Sequence, residues 1–178
     1  MIQQGWWLLF VAGGLLVIWA FRSKSSDLET VPQVDLERYS GTWYEIAAFP
    51  QRFQKGCTGT TATYTIHPKG YVRVENQCFK DSLNGPEKKI SGKAFPVAGS
   101  GNSKLKVQFF WPFKADYWIV DLDPDYQWAV VSHPSKRYLW ILNRTPVMEG
   151  ALYGEILSRL EASGFDLTKL QMTNQMEF

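Results

Sequence analysis

The chain has 178 residues, 45% of them hydrophobic and 20% charged, with a net charge of +2. That length suits one domain with an appendage, the mixture excludes wholesale disorder, and so small a charge excludes the basic field that nucleic-acid binding needs. Eight Trp and 15% aromatic residues ask for an aromatic-lined interior or a membrane contact, and two Cys allow one bridge but no disulfide scaffold.

Residues 1–21 contain no charged side chain. As a helix, the run from Gly5 to Phe21 would span about 25 Å at ~1.5 Å per residue, close to a bilayer's hydrocarbon thickness. Trp6, Trp7 and Trp19 stand at its ends as interfacial belts do, and Arg22 and Lys24 stop it. The start Met1-Ile2-Gln3-Gln4 lacks the basic residues of a secretory signal, and a lipoprotein signal needs a terminal Cys, whereas the first Cys is Cys57. Residues 1–22 are therefore read as an N-terminal transmembrane anchor or uncleaved signal, with a signal cleaved after Ala20 as the alternative, 23–33 as a polar linker, and 34–178 as the folded domain.

From Thr42 onward, short runs rich in β-branched and aromatic residues recur between turn formers. The predicted strands are Thr42–Phe49, Thr58–His67, Tyr71–Phe79, Lys89–Val97, Lys104–Phe110, Asp116–Leu122, Gln127–His133 and Arg137–Arg144. Pro68-Lys69-Gly70, Asn84-Gly85-Pro86, Asp123-Pro124-Asp125 and Pro134-Ser135-Lys136 supply turn chemistry between them. Consecutive strands at hairpin spacing form an antiparallel meander, and eight are enough to close a barrel around one small ligand. A two-sheet sandwich is the rival architecture. Thr145 and Pro146 predict a helix start, Leu152, Ile156, Leu157 and Leu160 share its apolar face, and Gly164 ends it. Phe165–Thr173 offers a short ninth strand.

Three motifs stand in order along this pattern. Gly41-Thr42-Trp43-Tyr44 precedes the first strand, Pro124-Asp125-Tyr126 fills a turn, and Trp140-Ile141-Leu142-Asn143-Arg144-Thr145-Pro146 closes the last strand. Together they resemble the lipocalin signature, with Pro124 where the family's turn has Thr. Tyr39–Ala47, Thr61-Ala62-Thr63-Tyr64 and Tyr138–Leu142 are similar to the bacterial lipocalin and apolipoprotein D branch. The resemblance implies an all-β, eight-stranded up-and-down barrel with a C-terminal helix packed outside. It also implies a carrier or store of small hydrophobic ligands, with Tyr64, Asn76 and Trp140 matching pocket positions of that branch.

Strand counting supports this arrangement independently. If Trp43 starts the first strand at the barrel's base, alternating hairpins return the eighth strand to the base at Arg144. Closure then sets a guanidinium against an indole. The loops at 51–56, 80–88, 111–115 and 134–136 fall at the mouth, which puts Phe53, Trp111 and Phe113 there as a lid, a membrane contact or ordinary loop packing.

Alternation assigns faces. Tyr138, Trp140 and Leu142 point inward, as do Tyr64 with Ala62, Asn76 with Val72 and Val74, and Phe109 with Leu105 and Val107. Asp121 suggests Trp118 and Val120 inside, and the first strand sets Trp43, Glu45 and Ala47 on one face. The expected ligand-binding residues are thus Tyr64, Asn76, Val107, Phe109, Trp118, Tyr138, Trp140 and Leu142, above a base of Trp43 and Arg144. Such walls suit a fatty acid, a lysophospholipid or a similar amphiphile, with Arg52, Lys136 or Arg137 near the head group. A barrel filled by its own side chains is the alternative.

Cys57 opens the second strand and Cys78 closes the third, nearly opposite each other, so a cross-strand disulfide is feasible; two reduced thiols are the alternative. The bridge implies an oxidising compartment, whereas Arg22 and Lys24 favour a cytoplasmic domain. Given weight to the cysteines, the expectation is a periplasmic or extracytoplasmic domain on a membrane anchor. His67 and His133 fall at opposite barrel ends, so no metal site is expected, nor any cofactor. No catalytic signature converges. A lipid-modifying enzyme on the same scaffold and an adaptor binding a protein through its mouth aromatics are the competing functions.

Overall fold

The computed structural model describes residues 28–175, so the expected anchor at residues 1–22 lies outside the described residues. Among the described residues, no helix is long and apolar enough to cross a membrane. The chain builds α1 (Leu36–Tyr39), then β1 (Gly41–Ala48), β2 (Cys57–His67), β3 (Tyr71–Lys80), β4 (Glu87–Pro96), β5 (Lys104–Gln108), β6 (Ala115–Leu122), β7 (Trp128–Ser132) and β8 (Leu139–Asn143). Helix α2 (Gly150–Ala162) and a short β9 (Gln171–Met172) follow. Successive strands pair antiparallel from β2 round to β8, β8 pairs with β1, and β1 pairs with β2. The sheet is therefore a closed barrel and not a sandwich.

Two apolar cores result. Inside the barrel, Trp43, Tyr64, Val74, Leu105, Ile119 and Val131 pack with Tyr39 of α1 beneath them. Outside it, Ile46, Phe49, Val130, Leu139 and Ile141 meet Ile156 and Leu160 of α2. Part of the expected linker packs on the domain. Leu28 is buried in the outer core, and the Val31 amide donates to the Ile119 carbonyl at 3.1 Å.

The base is held by Arg144. Its guanidinium carbon stands 3.7 Å from the Trp43 ring centroid. Its nitrogens donate to the carbonyls of Tyr126 (3.1 Å), Thr42 (3.0 Å) and Arg38 (2.7 Å), tying together the turn after β6, β1 and α1. Gly41, at φ +95°, leaves room for this clasp, since a Cβ there would lie 3.3 Å from Arg144 Nη1. The Trp43 indole donates to the Tyr39 carbonyl at 2.8 Å. Helix α1 itself starts at Asp35, whose carboxylate accepts from the amides of Glu37 and Arg38.

Several elements depart from sequence expectation. Helix α2 starts at Gly150, not at Pro146, because the Asn143 amide donates to the carbonyls of Thr145 and Val147 and holds that stretch as a loop. The ninth strand shrinks to Gln171–Met172 after a single 3-10 turn at Leu167–Lys169. Two bulges alter the faces. Between Glu45 and Ala47, β1 gains a residue against β8, which turns Ala47 out to the α2 core. Between Ile119 and Asp121, β6 gains a residue against β7. Asp121, Val120 and Trp118 therefore all lie outside, and Tyr117 and Ile119 point in.

The seam between β1 and β2 is unusual. Their pairing covers only Gly41–Tyr44 with Thr61–Tyr64. Above it the C-terminal segment enters as a wedge: β9 pairs with Ala47 and Ala48, and the Gly59 amide donates to the Asn174 carbonyl at 2.7 Å. The Gln175 side-chain amide bridges the carbonyls of Glu45 (2.7 Å) and Thr60 (2.9 Å), supplying bonds the two strands do not exchange there.

Candidate ligand-binding site

The barrel encloses a cavity of about 360 Å³ that opens at the mouth. Its size lies at the lower end of the ~300–1,000 Å³ usual for small-molecule sites. Strand alternation turns Tyr64 and Ala62 of β2, Val74 and Asn76 of β3, Val107 of β5, Tyr117 of β6, and Trp140 and Leu142 of β8 into its wall, with Phe109 just beyond β5. Six of the residues expected to contact a ligand thus line one cavity: Tyr64, Asn76, Val107, Phe109, Trp140 and Leu142.

Trp118 and Tyr138 do not. The β6 bulge turns Trp118 outward, where the Lys104 ammonium lies 4.2 Å from its ring centroid. Tyr138 precedes β8 on the rim, 37% exposed, and stacks on Trp140 at 6.3 Å between ring centroids. It keeps the face that alternation assigns, beside the inward Trp140, but stands above the cavity because β8 begins one residue later. Tyr117, which the wrong register concealed, is the corresponding inward aromatic.

A polar group stands high on one wall. Glu45 is 7% exposed, with its carboxylate accepting from Gln54 Nε2 at 2.8 Å and Thr173 Oγ1 at 2.6 Å. Burial pushes this carboxyl above its ordinary pKa, and the two hydrogen bonds oppose that shift only in part. Gln54, reaching in from the loop after β1, also accepts from the Trp140 indole at 3.2 Å. Loop residues carry no periodicity, so nothing in the sequence marks Gln54. On the adjoining strands β2 and β3, Thr60 Oγ1 and Asn76 Oδ1 are buried without a hydrogen-bond partner among the described residues.

At the opening, Phe53, Phe110, Trp111 and Phe113 are 71%, 69%, 86% and 76% exposed. Phe53 and Phe110 also line the cavity, so the apolar surface runs continuously from the interior to the rim. At the same end, Cys57 and Cys78 form a disulfide. The two cysteines are diagonal, since Cys57 pairs with Lys80, and a bulge at Gly59 brings their Cα atoms to 5.5 Å. His133 lies at the mouth and His67 at the base, and among the described residues no group of three or more acidic, His or Cys side chains is placed to hold a metal.

Comparison with known proteins places this architecture. The family model described as a lipocalin-like domain matches residues 34–175. The chain is 40% identical over 164 residues to temperature-induced lipocalin-1 of Arabidopsis thaliana, covering 87% of each chain. It is 38% identical over 145 residues to the outer membrane lipoprotein Blc of Escherichia coli K12, covering 82% of this chain and 81% of that one. With apolipoprotein D of Macaca fascicularis it shares 32% over 149 residues, covering 79% and 77%. Among solved structures, insecticyanin of Manduca sexta superposes with a TM-score of 0.69 at 22% identity, over 85% of this chain and 86% of that one. A match that runs from the α1 cap through the barrel to the C-terminal wedge makes this chain a member of the lipocalin family.

Proposed function

We propose that this lipocalin binds and carries, or stores, a single-chain hydrophobic ligand such as a fatty acid or lysophospholipid, and does so at a membrane surface on the extracytoplasmic side. The observation that carries the reading is the apolar cavity continuous with an exposed aromatic rim. Each methylene moved from water into such walls contributes about 0.8 kcal/mol, so ~10 buried methylenes supply about 8 kcal/mol before the cost of immobilising the chain. Taken whole, about 8 kcal/mol corresponds to a micromolar dissociation constant, and the immobilisation cost makes this the tightest binding that about ten methylenes alone supply.

The membrane part of the reading rests on three supports. The uncharged run at residues 1–21 is long enough for an anchor. The rim aromatics stand beside Arg52, Lys55 and Lys114, a composition suited to an anionic lipid interface. A relative is named an outer membrane lipoprotein. The disulfide supports an oxidising compartment.

Native mass spectrometry of the purified chain, followed by lipid extraction, tests the ligand. A retained single-chain lipid that a fluorescent fatty acid displaces is the expected result. A chain that purifies empty and binds no fluorescent fatty acid at micromolar concentration refutes the carrier reading. Protease digestion of intact cells and spheroplasts tests the side of the membrane: protection in spheroplasts refutes the extracytoplasmic placement.

A further inference from the structure

Three phenols meet at the cavity floor. Tyr39 Oη and Tyr64 Oη each lie 2.8 Å from Tyr117 Oη. Among the described residues the three hydroxyls pair only with one another. A phenol has one proton to donate. Two O–H···O contacts use two protons of the three, whichever way each contact runs, so one donor is always left over. Burial holds all three groups above the ordinary phenol pKa, Tyr64 at about 12, and they stay neutral donors at physiological pH.

Where that spare proton can be satisfied follows from the packing. Tyr39 is not part of the cavity wall; it is buried against the Trp43 ring, with centroids 4.9 Å apart. A proton left on Tyr39 meets no acceptor, and an unpaired buried donor is the costly arrangement. Tyr64 and Tyr117 do face the cavity. An oxygen arriving from that side would accept the spare proton from either.

We infer that Tyr64 and Tyr117 form a recognition site for a neutral oxygen at the buried end of the ligand, which makes the favoured ligand a hydrophobe with a hydroxyl or carbonyl at its deep end, an inference that rests on the carrier reading above. A methyl-ended chain leaves the donor unpaired. An ionised carboxylate is excluded by charge burial: one phenol proton does not replace its hydration, and the Arg144 guanidinium at the base is already engaged by the Trp43 ring, 3.7 Å away, and by three backbone carbonyls. A hydroxyl or ketone asks for one hydrogen bond, which the floor supplies.

The test compares a long-chain fatty acid with its ω-hydroxy analogue of equal length, both displacing a fluorescent fatty acid from the full chain. The ratio of their dissociation constants is read in wild type and in the double variant Tyr64→Phe, Tyr117→Phe. A single net hydrogen bond shifts this ratio by about 3- to 10-fold toward the ω-hydroxy chain in wild type relative to the variant. An equal ratio in both proteins overturns the floor assignment and leaves the carrier reading standing. Failure of wild type to bind either chain overturns the carrier reading itself. Should the double variant not fold, the wild-type protein decides by infrared spectroscopy of a fatty acid whose far end is an isotope-labelled methyl ketone. A carbonyl stretch lowered from its value in hydrocarbon is expected, and an unshifted stretch overturns the proposal.

Discussion

Replacing Arg144 by Lys keeps the positive charge at the base and removes the planar fork, which isolates geometry from charge. Arg144 makes three side-chain bonds to carbonyls of three separate segments, and a lysine ammonium on a shorter stem reaches one of them at most. Two charge-assisted bonds are then lost. The site is half-exposed, so each is discounted to about 1 kcal/mol, below the ~1.5–3 kcal/mol of fully buried charged bonds. The stacked contact with Trp43 adds about 0.5–1 kcal/mol, since an ammonium does not lie flat on an indole as a guanidinium does. The expected loss is about 2–3 kcal/mol, or about 5–10 °C in melting temperature for a domain of this size. Urea unfolding followed by tryptophan fluorescence measures it, and a double-mutant cycle with Trp43→Phe isolates the stacking component. A loss below about 0.5 kcal/mol, within the range of ordinary surface substitutions, would refute the view that this guanidinium clasps the barrel's base.

Trp140→Ala should weaken binding of a fluorescent fatty acid by about 10-fold or more while lowering stability by less than the equivalent ~1.4 kcal/mol, because one side of the ring faces the cavity; unchanged affinity in titration would contradict its place in a binding wall. Ile156→Ala should do the reverse, costing about 2–5 kcal/mol in urea unfolding with affinity kept, since Ile156 belongs to the outer core alone. Reduction of Cys57–Cys78, 21 residues apart, should cost about 3 kcal/mol by chain entropy, read as a lower melting temperature in dithiothreitol that a Cys→Ser pair reproduces. For Glu45 the folded chain retains the proton to higher pH than the unfolded chain does, because burial raises its carboxyl pKa. The Glu45 contribution to stability is then fully present below the ordinary value of 4.5 and is lost as pH rises through the folded value. Glu45→Gln should flatten that decline in unfolding measured from pH 4 to 8, and an identical slope in both proteins would remove Glu45 as its source.

What the sequence determined by itself was the order of the strands. Hairpin spacing, with Trp43 at the first strand's start and Arg144 at the last strand's end, favours an eight-stranded barrel over a sandwich, and the pairing of β8 with β1 decided it by bringing those two residues together at the base. Where polar residues mark one face without interruption, as Lys104, Lys106 and Gln108 do on β5, the inward set Leu105, Val107 and Phe109 is legible, because side-chain direction alternates with a strict period of two. That rule is local, and a single extra residue inverts it. The bulges in β1 and β6 exist because each strand must follow its neighbour's curvature round a closed sheet, a constraint no window of sequence contains. They exchanged Trp118 for Tyr117 and sent Ala47 outward. The groups of most chemical interest are likewise products of tertiary contact. Gln54 meets Glu45 and Trp140, Thr173 meets Glu45 from 128 residues away, and Tyr39, Tyr64 and Tyr117 meet from three separate elements. Their hydrogen bonds depend on where closure brings side chains whose own sequence neighbours carry no sign of the partner.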